Sequence, residues 1–394
     1  MVINNMSERW KINIVLDTNV IFNDWFLENP NIELLRKFLS LTNSRLIIPK
    51  IVTSEILNKY REEVTKIPRE IGKINVLLNP SKKLSSSLKV EEIFQDYKSE
   101  LSKQFRTLKV EEPNHSNISH EDIIVRDLER RRPFQNSGKG YRDTLLWETI
   151  LRNIANSKTK TYLISENYKD FGYIDKRDLH DNLKEDLLKK GLSADSVILY
   201  NNLSLFINDQ VKPVLDPVEE AKKELEKGVY KGFDIYEWFG GKREPIGNSI
   251  QQSMDSMINE LRGLEDLCVN YVEDPNEIKI NNVYELSINK IYIDAFTKVE
   301  VVLDVFVFKA DFYGWVSEKY NLDVVDYDWN DHYIYAQIIT KLPINIAINF
   351  NIKNRTVDNF EVTVEEIFGF CPNCSEPIMS DAAEACGECG EAFF

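Results

Sequence analysis

Three short apolar runs, Ile12-Asn13-Ile14-Val15-Leu16, Arg45-Leu46-Ile47-Ile48 and residues 161–165, alternate with stretches of helical periodicity through the first half of the chain. Strands of that length separated by crossover helices are the pattern of a parallel sheet flanked by helices, which places this half in the α/β class. Residues 50–66 read as the helix that follows the second strand. Pro49 suits that junction, because a residue without an N–H does least harm at the edge of an element. Residues 141–156 read as the helix before the third strand. Between the two helices lies an insertion, residues 67–135, with helical periodicity from Glu91 to Leu108 and breaks at Pro80-Ser81-Lys82-Lys83 and Glu111-Glu112-Pro113-Asn114. It is expected to lay helices over one side of the functional site.

Prolines between Pro213 and Pro217 mark the end of this domain, and a helix opens near Pro217-Val218-Glu219. From Tyr271 to Phe368 the pattern changes to period-two runs of β-branched and aromatic residues, such as 301–308 and 344–350, which predict a mostly antiparallel β domain. The expected organisation is therefore an α/β domain over 1–215, a helical connector over 216–270, a β-rich domain over 271–368 and a small metal-held tail over 369–394. In the connector, Gly240-Gly241-Lys242-Arg243-Glu244-Pro245 reads as a turn and Ile250 to Tyr271 as an amphipathic helix carrying a buried Cys268. The aromatics Phe308, Phe312, Tyr313, Trp315, Tyr327, Trp329 and Tyr333 are expected to pack in the core and on the sheet, with a base-stacking platform as the alternative. The only low-complexity stretch is Ser85-Ser86-Ser87.

The chain has 394 residues, 43% of them hydrophobic and 29% charged, enough for a substantial core. No run of about 18 apolar residues is present, and the first residues lack the basic and apolar stretches of a secretory signal, so no membrane association and a cytoplasmic location are expected. The formal charge of −15 argues against a protein that coats nucleic acid without selectivity. It does not exclude a nuclease, which needs only a local basic track beside an acidic site.

Four carboxylates stand at separated positions with suggestive contexts. Asp17 ends the first apolar run and is followed by Thr18 and Asn19. Glu55 lies in a helix whose apolar spacing packs it on the sheet. Asp143 opens a helical run, and Asp170 follows the third strand in Ser165-Glu166-Asn167-Tyr168-Lys169-Asp170. Each has an ordinary alternative: a helix cap for Asp17 and Asp143, a dipole partner for Glu55, a surface turn for Asp170. Together they supply what a hard divalent cation requires, oxygen ligands that no single strand or helix could arrange around it.

Leu16-Asp17-Thr18-Asn19, Ser54-Glu55, Tyr141-Arg142-Asp143 and the Ser165-to-Phe171 segment resemble, in order and context, the motifs of the PIN-domain nucleases, a family of α/β metal-dependent ribonucleases that includes many bacterial toxins. The resemblance covers approximately residues 11–210. It implies that Asp17, Glu55, Asp143 and Asp170 bind one or two Mg²⁺ or Mn²⁺ ions, with Thr18, Asn19, Ser165 and Asn167 in support. It also implies endonucleolytic hydrolysis of RNA to a 5′-phosphate and a 3′-hydroxyl, and a toxin or defence effector is among the roles it suggests. Two departures stand out: Asn167 replaces an aspartate common in relatives, and the 67–135 insertion enlarges the domain. A structure-specific DNA nuclease and a noncatalytic adaptor remain the alternatives.

The densest basic stretch is Arg126 to Arg142. Arg130, Arg131, Arg132, Lys139, Tyr141 and Arg142 are its candidate substrate contacts, and Phe134 and Tyr141 are candidates to stack on unpaired bases. A solvated helix end is the alternative. RNA is the expected partner, with DNA, a protein regulator or a second copy of the chain left open. His115, His120, His180 and His332 show no catalytic spacing and are expected to be structural. At the C-terminus, Cys371-Pro372-Asn373-Cys374 and Cys386-Gly387-Glu388-Cys389 present four thiolates in two turns, the pattern of a structural Zn²⁺ ribbon with a closed coordination shell.

Overall fold

The computed structural model describes residues 10–22, 24–77, 82, 89–134, 138–155, 159–173, 176–255, 261, 263–365, 367–380 and 383–392. The predicted break at Pro80-Ser81-Lys83 and the Ser85-Ser86-Ser87 run lie outside them. The chain forms two compact units, Met1–Leu215 and Asp216–Phe394. Among the described residues no helix is long and apolar enough to cross a membrane.

The first unit is built on a four-stranded sheet of β1 (Asn13–Leu16), β2 (Arg45–Ile47), β3 (Thr161–Ile164) and β4 (Val197–Tyr200), all parallel, in the order β2-β1-β3-β4. β1 and β3 are buried at every position, as expected of central strands covered on both faces. β4 was not foreseen in the sequence. The helices are α1 (Thr18–Phe22), α2 (Pro30–Leu41), α3 (Lys50–Leu77), α4 (Val90–Leu108), α5 (His120–Leu128), α6 (Tyr141–Ile154), a single turn α7 (Tyr168–Phe171) and α8 (Asp181–Lys189). α3 runs eleven residues past its predicted end at residue 66 and contains Pro68. Beyond Val64 it is barely buried, so the proline costs one main-chain bond in a solvated stretch and disturbs no packing. The insertion thus continues α3 and then adds α4 and α5.

The chain leaves β1 towards β2 on one side and returns to β3 on the other. The crevice at the carboxyl ends of β1 and β3 is therefore the point where strand order reverses, the usual ligand position in open α/β sheets.

In the second unit, α9 (Glu219–Leu225), α10 (Ile235–Gly240) and α11 (Arg243–Asp255) pack into one core with an antiparallel sheet. Its two central strands, β7 (Lys290–Phe308) and β9 (Tyr333–Asn351), are 19 residues each and pair along their full length. β5 (Glu265–Val272) and β6 (Lys279–Ser287) flank β7, and β8 (Asp323–Asp326) and β10 (Thr356–Val364) flank β9. The expected helix from Ile250 to Tyr271 ends at Asp255, and Glu265–Val272 is a strand. Pairing with β7 holds this segment extended, and a register shift in that pairing lets Leu267 and Val272 face the core while Tyr271 is exposed. Cys268 consequently lies exposed on that strand rather than buried in a helix. The predicted turn at 240–245 shrinks to Gly241-Lys242 between α10 and α11. The connector is part of the β unit's core, since Ile235, Phe239, Ile246 and Ile250 are all fully buried in it.

The tail forms β11 (Gly369–Phe370) and β12 (Pro377–Ile378), an antiparallel pair that sets the first cysteine turn. It is tied to the sheet by Lys298 Nζ to Glu388 Oε1 at 2.8 Å and by the Ser375 hydroxyl, which donates to Asn321 O at 3.3 Å.

Candidate active site and cysteine cluster

Asp17 begins where β1 ends. Its backbone N–H donates to Ile164 O at 3.0 Å, extending the ladder to β3 by one rung, and Ser165 N in turn donates to Tyr200 O at 2.9 Å. These bonds fix both loops at the sheet's carboxyl edge. The Asp17 side chain is buried, accepting from the Ser165 hydroxyl at 2.6 Å and from Thr18 N at 2.6 Å. Burial raises its pKa, while those two donors oppose the rise.

Thr18 serves a second acid as well, because its hydroxyl donates to Glu55 Oε2 at 3.0 Å and so joins β1's end to α3. Asn19 accepts from Glu166 N at 3.3 Å, Asn167 N donates to the Ser165 hydroxyl at 3.2 Å, and the Asn167 amide donates to Asp170. Thr18, Asn19, Ser165 and Asn167 thus form a polar frame under the acids.

The local alternatives for three acids give way to geometry. Gly140, not Asp143, caps α6; Asp143 sits in the first turn. Gly140 has φ +122°, and a Cβ there would lie 2.5 Å from Pro133 O, so only glycine permits this entry into the helix. Glu55 lies in the second turn of α3, past the first-turn position that serves a helix dipole. Asp170 is buried, not on a surface turn. Asp143 senses the other three acids: burial, then Asp17, Asp170 and Glu55 in that order, push it up to about 7. Glu55 likewise acts to raise Asp17.

Cations from the basic stretch reach only the rim. Arg142 pairs with Glu55, and Arg132 Nη1 lies 3.7 Å from Asp170 Oδ1. Lys139 and Tyr141 are exposed, the latter with its hydroxyl 3.4 Å from His120 Nδ1. Other members of the stretch are used internally. Arg126 is buried and pairs with Asp186 and Glu148, and Arg131 pairs with Glu185 and Asp186 at 3.1 Å. Arg130 pairs with Asp127. Phe134, a predicted stacking residue, is buried with Ile123 and Leu145. A charge run gives no sign of which members face inward; the buried Asp186, which also accepts from Trp147 Nε1 at 3.1 Å, decides it. Sequence reasoning also missed Lys59, one turn beyond Glu55 and held 3.7 Å over the Phe22 ring. An (i, i+4) lysine on the face of Glu55 was the available signal.

An all-oxygen donor set with surplus negative charge suits a hard divalent cation, whose charge would relieve the repulsion that lifts Asp143. The cysteine cluster is of the opposite, soft type. The sulfurs of Cys371, Cys374, Cys386 and Cys389 all lie within 4.8 Å of one another, with Cys371 and Cys389, and Cys374 and Cys386, 3.6 Å apart. Four thiolates bound tetrahedrally at about 2.3 Å would be separated by about 3.8 Å, so the turns are already spaced to hold such an ion. The Glu391 backbone N–H draws the Cys389 thiol down to about 7, towards the thiolate that a metal needs.

Residues 14–171 match the family model of the PIN domain, a nuclease-type family whose members act on nucleic acid and typically use divalent metals. No curated protein and no solved structure matches the chain. The match starts inside β1, three residues before Asp17, and ends one residue after Asp170, so the part of the chain similar to the PIN domain brackets the acids at the sheet's reversal point.

Proposed function

We propose that the first unit is a divalent-metal-dependent endoribonuclease in which Asp17, Glu55, Asp143 and Asp170 are the catalytic acids. The observation that carries this reading is the approach of Asp17, Glu55 and Asp170, from the end of β1, α3 and α7, close enough to Asp143 on α6 to raise it, with Thr18 bonding both Asp17 and Glu55. Bound Mg²⁺ or Mn²⁺, one or two ions, supplies a lowered pKa for the attacking water and neutralises charge on the phosphodiester. Asp17, locked by Ser165 and Thr18, cannot rotate away from the pocket, which preorganises the site. Arg142 and Arg132 stand at the rim, where they can exchange their carboxylate partners for phosphate oxygens of the substrate. Lys139 and Tyr141 extend that contact outward. Water adds across the P–O3′ bond, leaving a 5′-phosphate and a 3′-hydroxyl.

RNA is preferred on family grounds, and a DNA nuclease is the second reading. Labelled RNA, single-stranded DNA and duplex DNA incubated with Mn²⁺ or with chelator separate the two. Cleavage that persists in chelator, or in Asp17→Asn, defeats the proposal. A noncatalytic adaptor would bind these substrates without cutting any of them. A toxin or defence role is tested by inducing the wild-type chain and Asp17→Asn in cells: growth arrest by the first alone is expected. For the tail we propose one structural Zn²⁺ at the four cysteines, whose closed shell leaves no position for water.

A further inference from the structure

The far end of the β sheet in the second unit carries an interaction surface of its own. Along β7 burial is continuous from Ile291 to Ala295 and then alternates up to Phe308. Val301, Leu303, Val305 and Val307 enter the core while Phe306 and Phe308 turn to the opposite face, and Tyr335 and Tyr333 stand beside them on β9. This half of the sheet is therefore covered on one side only. Of the aromatics expected to pack in the core and on the sheet, Phe308, Phe312, Tyr313, Trp315, Tyr327, Trp329 and Tyr333, only Phe312 is buried. Periodicity distinguishes two faces of a strand and does not say which face is covered.

On the open face Trp329, Phe306 and Tyr335 form a triangle with ring centroids 5.4–5.6 Å apart, and Phe308 with Tyr333 adds a pair at 5.9 Å. Trp329 is 52% exposed and Tyr327 53%. A contiguous aromatic surface of this kind marks a binding site. Its charge says for what: residues 304–335 contain seven Asp and Glu against Lys309 and Lys319, a net of −5. Stacking platforms for nucleic acid lie in basic grooves, and phosphates would be repelled here. Both lysines are drawn onto the surface, Lys309 Nζ at 3.2 Å from Asp328 and Lys319 Nζ at 5.5 Å over the Trp315 ring. The surface thus takes up cations in two ways, by carboxylates and by ring faces. Arginine satisfies both with one planar group.

We propose that this face docks an arginine-rich segment of a partner protein. β8, Asp323–Asp326, ends the sheet order on this side, so an extended segment can add main-chain bonds at its edge. The inference does not rest on the nuclease reading.

Calorimetric titration of the full chain with a synthetic Arg-Gly repeat peptide, and with oligouridylate of matching length, tests it. The peptide is expected to bind and the RNA to show no dependence on Trp329. Trp329→Ala, which leaves charge unchanged, should weaken peptide binding about tenfold, the loss of one desolvated cation–π contact. Asp323→Asn with Asp331→Asn should reduce both affinity and its salt dependence, and serves if Trp329→Ala alters the melting profile. Equal peptide affinity for wild type and Trp329→Ala would reveal only diffuse attraction to an acidic chain and would overturn the proposal. So would an absence of binding, Trp329-dependent binding of the RNA, or a dimer that Trp329→Ala dissolves.

Discussion

Replacing Asp143 by Asn should stabilise the protein and disarm it. Its carboxyl is lifted from the usual 3.8 to about 7, first by burial and then by Asp17, Asp170 and Glu55. At about 1.4 kcal/mol per unit the full displacement would be worth about 4 kcal/mol. Asp143 is only half-buried, and solvent together with Arg142 and Arg132 at the rim reduces this to about 1–2 kcal/mol. Below the unfolded pKa both states hold the proton and nothing is lost. Between that value and about 7 only the folded state holds it, so stability falls as pH rises, and above 7 the folded chain bears the whole cost. At pH 8 without Mg²⁺ or Mn²⁺, Asp143→Asn should therefore melt roughly 3–6 °C above wild type, and the difference should shrink to less than half at pH 5. Added Mn²⁺ should reverse the order, since wild type gains ligand stabilisation that the variant cannot. Scanning calorimetry on protein dialysed without chelator, which leaves the proposed Zn²⁺ in place, reads all three conditions on the transition that Mn²⁺ shifts in wild type. A variant that is less stable than wild type at pH 8 without metal would refute the electrostatic argument.

Gly140→Ala should destabilise the first unit by about 1–3 kcal/mol, because φ +122° and the contact with Pro133 O both oppose a Cβ; an unchanged urea midpoint would show that the helix entry can relax. Asp186→Ala leaves the buried Arg126 uncompensated and removes the Trp147 acceptor, an expected loss of about 3–5 kcal/mol by chemical denaturation, and a loss below 1 would mean that Glu148 substitutes. On the proposal of a structural Zn²⁺, elemental analysis should find one zinc in wild type and none in Cys386→Ser, and hydrogen exchange should rise across 367–392 while exchange in β7 and β9 stays slow; exchange that spreads through those strands would make the tail more than a clip.

The positions of Asp17 and Asp170 were legible because each follows an apolar strand, and a strand's end is visible in its own residues, Ile14-Val15-Leu16 for the first and 161–164 for the second. The cysteine pairs were legible for a similar reason, since two Cys-x-x-Cys turns specify their chemistry locally. Which elements meet across the sheet was less so: besides bonding Asp17 through its N–H, Thr18 reaches Glu55 with its hydroxyl, an acid 37 positions away.

What the amino-acid order determined by itself was local: strand and helix periods through the parallel sheet, the acids at their ends and the thiolate spacing of the tail. The tertiary structure alone decided burial. It turned Arg126, Arg131 and Phe134 inward around Asp186 and the α5–α6 contact, ended a helix at Asp255 in favour of a strand, and left Trp329 and its neighbours facing water. Burial depends on what packs against a residue from elsewhere in the chain, and period, charge and propensity carry no record of that neighbour.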